Sequence, residues 1–556
     1  MKTGNKQDYR CNKVKKKGQQ CASAAQLFYH NNSHKVSLFK TSELHTCEEN
    51  HPNQIAGVPL KSRPMIADYV SCGVKPKKIL EKLRESNLPV PKYGALCNFI
   101  RYNIRNNKFN QTTISLGQLE QWCIDNSEKI PDDEDEPFVI DFTTHYEEEE
   151  FDDNDDVNDD TNDDDFYEKN YFRFFLTTKR LIKIAAESKN MHADATYKLI
   201  WQGFPVLIPG TTDANRKFHP FGLAVCTCEK QKDFEFIFQS VIIALQKLNL
   251  PDIKPTVLVA DGSDAIRNAF VEVFKCTLLV MCWAHMLRAC KKHLINITKE
   301  LKEEIIDDIK TLQLSQSKEV FEAATKLFLK KHKSEKEFIT YFKNEWVDTH
   351  DGWYEGYAEL TPSTNNALES NNRYIKDNGT LRSKLDLSVF LNTAKQIVRN
   401  WSRDRNTNDI NCIKFAKEKN SSDLTLKEWT QGFLWARTKK EILSNENIHY
   451  VPCHGDSKIN TAELSKYKNQ SWTTFNQFKK INFKFYCVTM FNEEWMKSKC
   501  TCANYLKTYS CKHIIGIALR LKLCKAPAAA KDIQIGQKRK RGRPKKSLRG
   551  KALLVE

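Results

Sequence analysis

Residues 190–201 read NMHADATYKLIW, 204–210 FPVLIPG, 219–227 HPFGLAVCT, 233–250 DFEFIFQSVIIALQKLNL and 256–262 TVLVADG. The first run alternates around Asp194, and Gly and Pro punctuate the joins to the second and third, so the three predict an antiparallel meander. In the fourth, Phe234, Ile237, Phe238, Val241, Ile242, Leu245 and Leu248 recur at helical spacing. TVLVADG is apolar without alternation, which predicts a strand buried on both faces, ending at Asp261. A helix (SDAIRNAFVEVF, 263–274) and another buried run (CTLLVMCWAH, 276–285) follow. Strand, strand, strand, helix, strand, helix, strand is the element order of a ribonuclease H-like α/β core.

That order sets Asp194, in the middle of the first strand, beside Asp261, at the end of the fourth. Two carboxylates hold a hard cation poorly. Mg²⁺ takes oxygen ligands in near-octahedral geometry, and two such ions about 3.5–4 Å apart can clamp the attacking and leaving oxygens of a phosphodiester. A third carboxylate is available in TPSTNNALESNNRYIK (361–376), where Glu369 opens a helical pattern among Asn365, Asn366, Asn371 and Asn372. Each of these residues also has a plainer role, since a lone Asp at a strand end is commonly a cap or turn former.

DATYKL, VADGSDAI, CWAH and STNNALESNNRYIK together resemble the transposase domain of Mutator-like elements. The resemblance implies an acidic triad at Asp194, Asp261 and Glu369, and a Cys-x-x-His pair at Cys282 and His285 that supports the active site rather than binding zinc. It also implies a helical insertion in the core. Asp261 and Glu369 lie 108 residues apart, and residues 286–350 show helical periodicity (Ile305, Ile309, Leu312; Val320, Ala324, Leu327, Phe328). The run DLSVFLNTAKQIVRNW (386–401) is helical and closes the core near residue 405.

The chain has 556 residues, enough for three or four domains, with 40% hydrophobic content and a net charge of +17. Twenty acidic residues fall between Asp132 and Glu168 with no Lys or Arg among them, so the remainder carries +37. Such a surplus points to a polyanionic partner, and the transposase resemblance implies that this is double-stranded DNA. Residues 130–168 read as an acidic disordered linker. The stretch after it, YFRFFLTTKRLIKIAAESKN (171–190), reads as a basic amphipathic helix. No run of about eighteen apolar residues occurs, and the amino-terminal stretch is basic and polar, so membrane and secretory readings fall away. Eighteen cysteines in such a chain argue for reduced thiols and metal ligands.

Two zinc sites are expected. Cys500, Cys502, Cys511 and His513 form C-x-C-x8-C-x-H, a tight ligand pattern between the strand-like FKFYCVTM and the helix KHIIGIALRL. This resembles the SWIM zinc finger, here residues 481–525, with Cys487 and Cys524 left as ordinary thiols. Cys11, Cys21, His45 and Cys47 flank a predicted hairpin (QLFYH, KVSLFK) in residues 1–55, and resemble the WRKY/FLYWCH type of zinc-bound DNA-binding sheet. His51 is a substitute ligand. Only ten residues precede Cys11, so that family's first strand is expected to be short or missing.

Residues 60–110 predict three short helices, either a helix-turn-helix unit or a helical linker. Residues 406–480 read as mixed helix and loop. In the tail 536–552, nine Lys or Arg lie between Lys538 and Lys551, and Arg541, Gly542, Arg543 and Pro544 resemble an AT-hook; the run also reads as a nuclear localisation signal.

The combined reading is a nuclear DNA transposase with an α/β core at 170–405, using two Mg²⁺ or Mn²⁺ ions and two structural zinc ions, and homo-oligomeric on DNA. Two other readings stay open: a domesticated transposase acting as a zinc-dependent transcription regulator, and a SWIM-based chromatin or ubiquitin-pathway adaptor.

Overall fold

The computed structural model describes residues 4–10, 23–30, 35–42, 57–71, 74, 76–106, 114–146, 170–438, 440–453 and 459–531. They fall in two units, residues 1–104 and 105–556. Cys11, Cys21, His45, Cys47, His51 and the tail around Arg541–Pro544 lie outside the described residues, as does most of the acidic run.

In the first unit, strands β1 (Gly4–Arg10), β2 (Ala24–His30) and β3 (Val36–Lys40) form an antiparallel sheet in that order. The β2–β3 hairpin is the expected one. β1 corrects the expectation of a short or missing first strand, since seven residues pair with β2 from Gly4↔His30 to Arg10↔Ala24. Three helices, Arg63–Ser71, Pro76–Glu85 and Tyr93–Asn106, occupy the expected helical stretch. Ile79, Leu80 and Leu83 are buried on one face of the second, and Leu96 and Ile100 on the third, as apolar residues at i, i+3, i+4 spacing must be in an amphipathic helix.

The second unit is built on a mixed sheet of the strands β4 (Phe138–His145), β5 (Tyr171–Thr177), β6 (Asn190–Thr196), β7 (Val206–Thr212), β8 (Phe218–Pro220), β9 (Leu223–Cys226), β10 (Val257–Ala260) and β11 (Leu279–Met281). Their order is β11-β10-β6-β7-β9-β5-β4, with β8 attached to β7. β6, β7 and β9 are the expected meander, with its third strand broken in two. Gly222 sits at the break, and a Cβ there would lie 2.5 Å from the Leu176 carbonyl oxygen, so only glycine lets β9 close onto β5.

Two expectations are corrected here. Residues 171–177 are the strand β5 rather than helix, and the helix is confined to Lys179–Ala186. Phe172, Phe174, Phe175 and Leu176 are buried in succession, which suits an interior strand covered on both faces and not a one-sided helix. Thr178 then caps the helix, its hydroxyl accepting from the Leu181 N–H. The linker expected over 130–168 is also corrected at its start: residues 130–146 are folded, and β4 pairs antiparallel with β5.

One face of the sheet packs under the helices Gln231–Lys247 and Asp264–Phe274. Phe234, Phe238, Val241 and Phe270 meet Phe175, Met191, Ala193, Leu207, Ala224 and Leu258, each fully buried large side chain contributing about 1.5–3 kcal/mol. On the opposite side, helix Asn366–Tyr374 contacts β6, and Ser402 of helix Leu387–Arg403 bonds the Thr178 hydroxyl at 2.9 Å.

The stretch expected to be helical, residues 286–350, lies in the helices Trp283–His293, Lys299–Gln313, Lys318–Lys331 and Lys336–Lys343. Its core of Ile305, Ile309, Leu312, Val320, Ala324 and Phe328 also takes in Phe475 and Phe478 from helix Phe475–Asn482. The carboxyl-terminal module is larger than residues 481–525. Strands β12 (Leu443–Asn445) and β13 (Ile448–Pro452) join β14 (Phe485–Thr489) and β15 (Lys499–Cys500) in one antiparallel sheet. Helix Leu426–Ala436 packs on helix Lys512–Arg520 through Gly432 and Gly516. Among the described residues, no helix is long and apolar enough to cross a membrane.

Candidate active site and metal centre

The register of the three parallel strands lines up the chemistry. β10 pairs with β6 through Val259↔His192, and with β11 through Ala260↔Met281. Carried two residues past the first pair and one past the second, the same register sets Asp261 opposite Asp194 on one side and Cys282 on the other. Adjacent strands run about 4.8 Å apart, so the row Asp194, Asp261, Cys282 crosses the carboxyl ends of three neighbouring strands. Open α/β sheets commonly bind ligands at such ends.

Asp194 shares a strand face with His192, two residues earlier. Burial, the Asp261 charge and, more weakly, Glu229 push its pKa up to about 7, against the opposing effect of His285. Its Oδ2 accepts from Asn372 Nδ2 at 2.9 Å, while Asn372 Oδ1 is buried with no partner. Asp261 Oδ1 accepts the Ser263 backbone N–H at 3.0 Å, an Asx turn that fixes the loop before helix Asp264–Phe274.

Helix Asn366–Tyr374 brings Glu369 and Asn372 to one side, as i, i+3 spacing requires. Glu369 Oε1 lies 3.6 Å from His285 Nε2 and 3.6 Å from Arg288 Nη2. Ligand atoms of Cys282, His285 and Glu369 all fall within 4.8 Å of one another. Asp194, Asp261 and Glu369 are not gathered that closely. A pair of ions about 3.5–4 Å apart does not require it, and carboxylates without a cation repel.

Burial alone would raise the Cys282 thiol pKa, but the neighbouring His285 and the Asn365 N–H outweigh it and hold it below the ordinary value. Chiefly through that sulfur, the His285 imidazole is held above its ordinary range.

Asn365, just ahead of the Glu369 helix, stitches the row together. Its N–H donates to Cys282 Sγ (3.3 Å), its Nδ2 to the Ala193 carbonyl (3.5 Å), and its Oδ1 meets His192 Nδ1 (2.9 Å). Thr212 Oγ1 takes the other ring nitrogen at 3.0 Å. Burial pushes the His192 pKa down to about 4, so the ring is neutral and structural.

Two residues of this site escaped sequence reasoning. Tyr197, at the end of β6, donates its O–H to Glu229, just before helix Gln231–Lys247. Burial chiefly raises the Glu229 pKa, the Tyr197 bond opposes this, and Asp261 adds to it. A fourth carboxylate therefore shares the field of Asp194 and Asp261. In sequence it is one more acid near a helix start, and only the folded β6–β7–β9 order brings it near.

The second donor set is Cys500, Cys502, Cys511 and His513, all buried and with ligand atoms within 4.8 Å. Cys500 ends β15, Cys502 caps helix Ala503–Thr508, and Cys511 and His513 open helix Lys512–Arg520. The Cys500 and Cys511 sulfurs hold Cys502 far below the ordinary thiol range, whereas burial pushes Cys500 and Cys511 up. Three sulfurs sharing protons in an apolar pocket, with a histidine beside them, fit a tetrahedral zinc set, where an ion replaces the protons. Cys487 and Cys524 lie outside it.

Residues 190–289 match the family model described as the MULE transposase domain. That span holds Asp194, Glu229, Asp261, Cys282 and His285; Glu369 lies beyond it. A search of curated proteins finds no match to the chain. The matched span supports a transposase-type function in general, and with it DNA binding.

Proposed function

We propose that the chain is a DNA transposase of the Mutator-like type, with a ribonuclease H-like core that cleaves and joins DNA by two-metal phosphoryl transfer. The observation that carries this reading is the β6–β10 register, which aligns Asp194 with Asp261 inside the matched span while the Glu369 helix packs against β6. Asp194, Asp261 and Glu369 would hold two Mg²⁺ or Mn²⁺ ions, whose contribution is to polarise the phosphate and stabilise charge on the attacking and leaving oxygens. Asn372 holds Asp194 by its Oδ2, and Asn365 locks the backbone of the aspartate strand. His285 and Arg288 hold Glu369 at the edge of the carboxylate row.

In the first step a water oxygen bonds to phosphorus at the element end, and the bond from phosphorus to the 3′-oxygen breaks, leaving a 3′-hydroxyl and a 5′-phosphate. In the second, that 3′-hydroxyl attacks a target phosphodiester, forming a new phosphorus–oxygen bond and displacing the target's own 3′-oxygen. The two zinc modules, the basic tail and self-association would hold the ends. The tail would also carry the protein into the nucleus, so its deletion should leave a tagged copy in the cytoplasm.

The test is strand transfer on the chain's own element ends with Mg²⁺ or Mn²⁺. Asp194→Ala, Asp261→Ala and Glu369→Ala should each abolish product while DNA binding survives. A wild type that binds its element ends yet stays inert with both metals would favour the regulator reading. Full activity in Glu369→Ala would remove the third ligand.

A further inference from the structure

The turn that leaves the aspartate strand presents a bare indole on a pinned backbone. Trp201 is 63% exposed, although Leu199 and Ile200 just before it are fully buried. Main-chain bonds fix the turn: the Trp201 N–H donates to the Leu385 carbonyl (2.6 Å), the Leu385 N–H to the Leu199 carbonyl (2.8 Å), and the Gly203 N–H to the Ile200 carbonyl (3.2 Å). The Leu387 N–H adds a bond to Gln202 Oε1 (3.2 Å). Lys198 and Gly203 take positive φ values of 69° and 89°, a conformation that costs a lysine free energy and persists where surrounding contacts impose it. An exposed tryptophan on a loose loop would need no explanation. One held out at the end of a fixed turn does.

Its surroundings carry positive charge. Lys384 Nζ lies 5.7 Å from the ring centroid, within cation–π range. The turn leaves β6 directly after Thr196, two residues past Asp194, so the cationic turn borders the carboxylate row. Tyr197, in the same turn, is 43% exposed and bonded to Glu229. A flat apolar ring among ammonium groups suits one ligand chemistry, a nucleobase to stack on the ring with its phosphates against the lysines.

We infer that Trp201, with Lys384 and Lys198, forms a stacking subsite for an unpaired base of the DNA strand lying beside Asp194. A base paired inside a duplex is stacked on both faces and offers none to an indole at the protein surface, so the subsite selects frayed or single-stranded DNA next to the reacting phosphate. This rests on the DNA-processing reading above.

The experiment compares two labelled DNAs, a blunt duplex long enough for end binding to be negligible and the same duplex with a single-stranded extension containing 2-aminopurine. Wild type should bind the extended DNA more tightly and quench the 2-aminopurine. Trp201→Ala should lose roughly 5- to 150-fold in affinity for the extended DNA, the range for one base–aromatic stack, and lose the quenching, with blunt-duplex binding unchanged. Trp201→Phe should keep most of both. The pinning bonds are made by main chain and Gln202, so the alanine variant should fold. Equal losses on both DNAs, or none on the extended one, overturn the subsite and leave the transposase reading standing. A wild type that binds neither DNA takes both down.

Discussion

Replacing Cys511 with serine should unfold the carboxyl-terminal module and leave the central sheet intact. Cys511 is 2% exposed, and Cys500, Cys502 and His513 are 3%, 3% and 5% exposed, so the donor set is the centre of the module's core, among Trp435, Val451, Val488, Ile514 and Ile517. Structural zinc contributes folding free energy of order 10 kcal/mol. A typical domain retains only about 5–15 kcal/mol in net stability, so the small apolar cluster cannot hold the module once the ion is lost. The assay is elemental analysis with hydrogen exchange. Wild type should carry about two zinc ions, one lost in Cys511→Ser and the other in Cys21→Ser. In Cys511→Ser, or after chelation, amides of helix Lys512–Arg520 should exchange at near-unfolded rates while those of β6 and β10 keep their protection. Helix Lys512–Arg520 equally protected with and without metal would refute the reasoning, and a zinc count of one would remove the amino-terminal site.

Two further outcomes follow from buried contacts. Asp308, whose side chain is fully buried, takes Lys331 (2.6 Å) and His332 (2.9 Å) on one oxygen and Lys479 (2.7 Å) on the other. Asp308→Asn should therefore cost about 3 kcal/mol, the low end for breaking a buried pair because both lysines reach solvent, read as roughly hundredfold faster exchange in helices Lys299–Gln313 and Lys318–Lys331. Burial opposes its ionisation, but the three donors outweigh it and hold the carboxyl below its usual range. Its contribution is thus present above the unfolded value of about 3.9 and lost as pH falls through the lower folded value. The gap between variant and wild type should close in acid, and a pH-independent gap would contradict the ion network. Gly516→Ala places a Cβ 2.1 Å from Trp435 Cε3, so overpacking should cost about 1–3 kcal/mol in urea unfolding of the module; a loss below about 0.5 kcal/mol would mean the helices can separate.

What could be read from the sequence was whatever local pattern alone determines. The alternation around Asp194 and the unbroken apolar runs ending at Asp261 and Met281 fix a half-covered strand and two buried ones, and these became β6, β10 and β11. Cys500, Cys502, Cys511 and His513 converge because their separations are short enough for one turn and one helix start to bring them together. The failures share a cause, which is that a distant partner decided the outcome. YFRFFLT carries aromatics at spacings a helix could also use, but β4 and β9 flank it on both edges and bury it as a strand. FVIDFTTH sits in an acidic stretch that looks unable to fold, yet it only had to add an edge strand to a sheet built elsewhere. β12 and β13 are short, and become a sheet only because β14 arrives from more than thirty residues downstream. Glu229 is the sharpest case. Nothing within ten residues marks it, and it reaches the carboxylate row because Tyr197, 32 residues earlier, turns its hydroxyl to it across the sheet. Ligand sets close in sequence can therefore be read before folding, whereas a site drawn from separate strands shows only those members whose own strand pattern announces them.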